Sequence, residues 1–187
     1  MTYSIHERHG LPTELQTLLD DYPREAWPDH PNFAQSIQHW LDAHRYFKRV
    51  GALLTKETEL FLDKTRTIDE FGGRLGFYGN QLVNNLHGHH HWEDHEYFPE
   101  LSAVDNRFDR GLDMLETDHT EMDKLLDDFT TTGNRALKLS ALDPKLAYEE
   151  AGKLLDTTSA IQTFLDRHLA DEEDLIVPIL LHHKMRG

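Results

Sequence analysis

The sequence predicts an all-α protein, an up-down-up-down four-helix bundle with an N-terminal extension. Apolar residues recur at helical spacing along four long stretches. No stretch alternates in the manner of a strand, and the connections between the four stretches are short. At 187 residues the chain suits one domain with a full core. Residues 1–32 carry Pro12, Pro23, Pro28 and Pro31 and read as the extension, with a short helix around Glu14 to Asp21. Residues 33–187 read as the bundle.

The first helix is predicted from about Phe33 to Lys64, with Phe33, Ile37, Trp40, Leu41, Phe47 and Leu54 on one side. A glycine-rich connection, Phe71 to Gly79, follows. The second helix is predicted from Asn80, as N-cap, to about Phe98, next to Pro99. The third starts at the capping residue Asp105 and runs to about Thr132, with Gly133 as its stop. The fourth opens with Asp143 as cap and Pro144 at the first helical position, and continues to about His182. Pro178 is the place for a kink.

Composition excludes several classes of function. The formal charge of −15 argues against nucleic acid, whose phosphates are held largely by Lys and Arg. The absence of cysteine excludes disulfides, thiolate nucleophiles and iron–sulfur ligation, so any metal must be held by His, Asp and Glu. The longest apolar run, Leu175 to Leu181, is too short to cross a bilayer and contains Pro178. The first residues lack the apolar stretch of a signal peptide, which predicts a cytoplasmic protein with no membrane partner.

Histidine is the outlier: there are 14. Successive helical residues turn by about 100°, so positions four apart share a face. In the fourth helix His168 and Glu172 lie within the stripe of Ile161, Phe164, Leu165, Leu175, Ile176 and Ile179. In the second, Leu82, Leu86, His89, Glu93 and Glu96 share a face, whereas His87, His91 and His95 fall on nearly the opposite, solvated side. His90 lies between the two. In the third, His119 lies with Phe108, Leu112, Leu115, Met122 and Leu126, and Asp123 follows one turn later on the same side. In the first, His44 lies on the apolar stripe and His39 points away. A lone histidine on an apolar face is commonly structural. Here every helix carries one and two also carry a glutamate, and such a group in a bundle core would be costly without cations.

The ordered set His44, His89-x-x-x-Glu93, His119 and His168-x-x-x-Glu172 resembles the hemerythrin family, in particular its HHE cation-binding branch. The pairs Glu93-Asp94 and Glu172-Glu173, each followed by a proline five residues on, also look like the family. The resemblance covers roughly residues 33–183. It implies a non-haem di-iron centre, bridged by Glu93 and Glu172 and completed by His44, His89, His119 and His168. Such ligands suit manganese or zinc as well. The oxygen carriers of the family place a second histidine on the third helix, where this chain has Asp123. Asp123 is either a ligand or a substitution that leaves an iron more open. The carriers' carboxylate spacing in the fourth helix would select Glu173, but that residue turns off the stripe, so Glu172 is preferred.

The expected function is therefore to bind or reduce a small diatomic or peroxidic ligand (dioxygen, peroxide or nitric oxide), in oxygen or nitrosative sensing or stress response. The alternative is a metal-free or zinc-binding structural bundle.

Overall fold

The computed structural model describes residues 3–185, so Met1, Thr2, Arg186 and Gly187 of the ranges above lie outside it. It is an all-α four-helix bundle, with no strand among the described residues. Helix α1 spans Gln35–Leu62 and α2 spans Ile68–Trp92. A π-helical turn, Glu93–Tyr97, joins α2 to the short α3, Phe98–Val104. Helix α4 spans Asp109–Leu142 and α5 spans Pro144–His183.

Several predicted boundaries are corrected. The glycine-rich segment 71–79 is not a connection but the first half of α2, and Asn80 lies inside that helix. The helix starts at a capping box instead. Glu70 N–H donates to Thr67 Oγ1 at 3.3 Å, and Thr67 N–H donates back to Glu70 Oε2 at 2.9 Å. Burial of Phe71, Leu75 and Leu82 then outweighs the low helix propensity of the glycines. Just before it, Lys64 closes α1 at a left-handed φ of 58°, and Thr65 N–H reaches back to Leu60 O at 2.8 Å.

Pro99 does not end the helical run but sits in the first turn of α3, directly after the π turn. Asp105 caps a 3₁₀ turn, Asn106–Phe108, that leads into α4. Gly133 is no stop; α4 continues to Leu142. The opening of α5 is as predicted, with Asp143 Oδ1 accepting from Lys145 N–H and Leu146 N–H at 3.0 and 3.2 Å. In place of a helix at Glu14 to Asp21, the N-terminal segment holds 3₁₀ turns at Thr13–Leu15 and Arg24–Ala26.

The residues fall into two compact units. The first comprises 1–46, 90–120 and 165–187, and takes a segment of each long helix plus the N-terminal segment. Its core includes Leu11, Leu18 and Trp27 of that segment packed with Ile37, Trp40, Phe98, Leu115, Leu175, Ile176 and Ile179. Gly111 of α4 permits close approach to α5, since a Cβ there would lie 2.6 Å from Leu175 Cδ2. The second unit comprises 47–89 and 121–164. Phe61 stacks between Phe71 and Tyr148 within it, at 4.3 and 4.5 Å between ring centroids.

Candidate metal centre

Helical periodicity carries the predicted stripes into the interior. His44, Glu93, His168 and Glu172 are fully buried and His119 is 2 % exposed. Two groups of side chains each bring their ligand atoms within 4.8 Å of one another: His90, His119 and His168, and His44, His89, Glu93 and Glu172. His89 precedes Glu93 by one turn on α2, and His90 precedes it by three residues. Both spacings lie on one side of a helix.

His90, which the helical period puts between the two faces, is buried and stacked on His119 with ring centroids 4.0 Å apart. The signal for it was its spacing of three to Glu93, beside the spacing of four from His89. Asp123 is the opposite case and corrects the prediction. It is exposed, it pairs with His87 Nδ1 at 3.0 Å, and it belongs to neither group. Glu96 is also exposed. The π turn that begins at Glu93, closed by Phe98 N–H on Glu93 O, advances less per residue and turns Tyr97 inward in its place.

Three of the inward imidazoles share one arrangement. His44 Nδ1–H donates to Glu173 Oε1 at 3.2 Å, His119 Nδ1–H to Asp94 Oδ1 at 2.6 Å, and His168 Nδ1–H to Asp118 Oδ2 at 3.2 Å. An ionised carboxylate only accepts, so each Nδ1 carries the ring proton and each Nε2 presents a lone pair. The Nε2 atoms face the glutamates: His44 lies 3.4 Å and His168 3.8 Å from Glu172 Oε2, and His119 lies 3.7 Å from Glu93 Oε2. Trp40 Nε1–H donates to the other oxygen of Glu93 at 2.8 Å. Carboxylate behind histidine is the support that metal-ligating imidazoles receive, because it fixes both tautomer and ring orientation.

The two acidic pairs noticed in the sequence acquire distinct duties. The first member, Glu93 or Glu172, faces the centre. The second, Asp94 or Glu173, supports a histidine on another helix. Sequence reading missed this, and missed Asp118 altogether, because the partners are far apart in the chain.

The electrostatics fit cations. Burial, and then the neighbouring Glu93 carboxylate, push the Glu172 carboxyl well above its ordinary value. Burial also pushes the His168 imidazole down to about 4, against the pull of Asp118. Asp118 and Glu173 are buried as well, yet both are held below the usual carboxylate range. His168 and Arg8 outweigh burial at the first, His44 and Arg24 at the second. His119 Nε2 makes no hydrogen bond, and no donor reaches either oxygen of Glu172. Buried lone pairs without donors, on imidazoles and carboxylates aimed at one another, are the donor set of a hard or borderline divalent metal. Tyr97 lies next to the glutamates, 2 % exposed, with a hydroxyl that makes no hydrogen bond. Burial first, then Glu93 and Glu172, raise its phenol above the ordinary range, so it stays an O–H donor.

No helix among the described residues is long and apolar enough to cross a membrane. No curated protein and no solved structure matches the chain. The model of the hemerythrin HHE cation-binding domain matches residues 35–180, a span that contains every residue of both groups. With that span covering most of the chain and a buried set of histidines and glutamates built to hold cations, the protein belongs to the hemerythrin HHE cation-binding family.

Proposed function

We propose that the chain holds two non-haem iron ions and uses them to bind or reduce a small ligand such as dioxygen, peroxide or nitric oxide. The observation that carries the reading is the pair of ligand groups, one of three histidines and one of two histidines and two glutamates. Glu93 and Glu172 would lie between the ions, His90, His119 and His168 on one side, His44 and His89 on the other. Paired ferrous ions supply two electrons together with open positions for a small molecule.

The protein's own contribution is support and exclusion. Asp94, Asp118 and Glu173 hold three imidazoles in the tautomer that ligates. Trp40, buried and bonded to Glu93, keeps an apolar ring against the centre. The Tyr97 hydroxyl, buried near both glutamates and without a partner, is a free O–H donor in their neighbourhood. The apolar surroundings suit small uncharged ligands over organic substrates.

Metal analysis with an optical spectrum in air tests the reading. Two irons per chain and near-ultraviolet absorption of an oxo-bridged ferric pair are expected. A chain that carries no iron after expression in iron-replete cells refutes it. Reversible oxygenation marks a binder, and rapid consumption of hydrogen peroxide marks an enzyme.

A further inference from the structure

All the proposed ligands come from the bundle, yet two arginines of the preceding segment reach the carboxylates behind them. We propose that Arg8 and Arg24 are positioning residues for the metal centre, each locking the carboxylate that orients one inward histidine. The inference rests on the reading that this centre binds metal.

Arg8 is 9 % exposed. Its guanidinium donates from Nη1 to Asp118 Oδ1 at 3.1 Å and from Nη2 to Asp118 Oδ2, and from Nε to Asp171 Oδ2 at 3.0 Å. Nη1 also donates to Tyr3 O at 2.7 Å. The Asp118 oxygen that takes Nη2 is the one that accepts from His168 Nδ1. Arg24 repeats the device. It donates from Nη1 to Glu173 Oε2 at 2.6 Å, from Nε to Asp174 Oδ1 at 2.5 Å and from Nη2 to Ala170 O at 2.7 Å. The other Glu173 oxygen accepts from His44 Nδ1 at 3.2 Å. So the order arginine, carboxylate, histidine occurs twice, once on α4 with α5 and once on α5 with α1.

The Arg8 guanidinium holds the Asp118 carboxylate at two points and fixes its plane, while Arg24 holds one oxygen of Glu173 and is itself fixed by Asp174 and Ala170 O. The fixed carboxylate fixes the imidazole, and loss of such an outer partner typically costs about 10–100-fold in metal affinity. Both arginines lie outside the span that the family model matches, so the device belongs to this chain's own N-terminal segment.

Cobalt(II) is the probe, because its visible absorption reports ligand geometry and needs no turnover. The variants are Arg24→Met, Arg8→Met and Arg8→Lys, with Leu18→Ala as the control. Leu18 packs the same segment onto the core and carries no group that can hydrogen-bond a carboxylate. Cobalt affinity is expected to fall about 10–100-fold in Arg24→Met and Arg8→Lys, with an altered visible band. Leu18→Ala should lower the melting temperature and leave affinity and band unchanged. Should Arg8→Met fail to fold, Arg24→Met and Arg8→Lys carry the test, since one removes the more exposed arginine and the other keeps the charge. Folded arginine variants with wild-type affinity and spectrum overturn the proposal alone. An equal loss in Leu18→Ala also overturns it, because the segment would then act through packing only. A wild-type chain that takes up no cobalt overturns the underlying metal reading, and this inference with it.

Discussion

At Glu172 the fold tolerates a fully buried carboxylate that no donor reaches and that faces a second carboxylate, Glu93. Such a group opposes folding until a cation neutralises it. The metal-free and metal-loaded proteins should therefore respond in opposite ways to Glu172→Gln. The stripped variant should melt above the stripped wild type, since the cost of burying an acid, whether charged or forced to take up a proton, is gone. The loaded variant should hold one metal per chain or fewer where the wild type holds two. Glu93→Ala should likewise break the pair. Melting curves with and without chelator, alongside metal analysis, check both arms, and two metals retained in either variant would refute the bridging assignment. At this scale His44, His89, Glu93, His119, His168 and Glu172 were legible because each sits in an apolar stripe where a polar group is conspicuous. Arg8 was not legible, because it meets Asp118 across 110 residues and no periodicity links them.

Among the elements, α2 shows how local rules compete. Its first half contains Gly72, Gly73, Gly76 and Gly79, each costing about 1 kcal/mol relative to alanine in a helix interior. The start is set by Thr67 and Glu70, which satisfy each other's backbone N–H groups. Thr67→Ala should cost about 1 kcal/mol, within the range for N-cap deletions. In a domain of this size that lowers the melting temperature by about 2–4 °C. Thermal unfolding checks it, and an unchanged melting temperature would show that burial of Phe71 and Leu75 alone sets the start. Glycine content read as a connection here because capping boxes are short and the burial that rescues a glycine-rich helix is a tertiary fact. The same limit explains Gly133, which α4 passes through. Downstream, the π turn at Glu93–Tyr97 decides which side chains join the centre. It turns Glu96 out, which the face read from a uniform period of 3.6 residues does not anticipate.

For the whole chain, the centre couples stability to metal and to pH. Metal that binds only the folded state at a thousand times its dissociation constant adds about 4 kcal/mol. Loaded protein should then melt roughly 10 °C above stripped protein. In the stripped protein two groups pull in opposite directions on acidification. Burial holds His168 at about 4 against an unfolded value of 6.5, so between those values the unfolded chain takes a proton that the folded chain refuses. Stability from His168 is fully present above the unfolded value and is lost as pH falls toward 4. Glu172 acts with the other sign. Its folded value is raised, so the folded chain binds the proton more tightly and acidification favours folding through that group. A single profile of the stripped wild type mixes the two, and comparison with stripped His168→Gln separates them. Relative to that variant, the wild type should lose stability steadily from pH 6.5 to 4.5, read as the midpoint of urea unfolding. Parallel profiles would mean that His168 takes its proton within the fold, and that the imidazole is not held neutral for a metal.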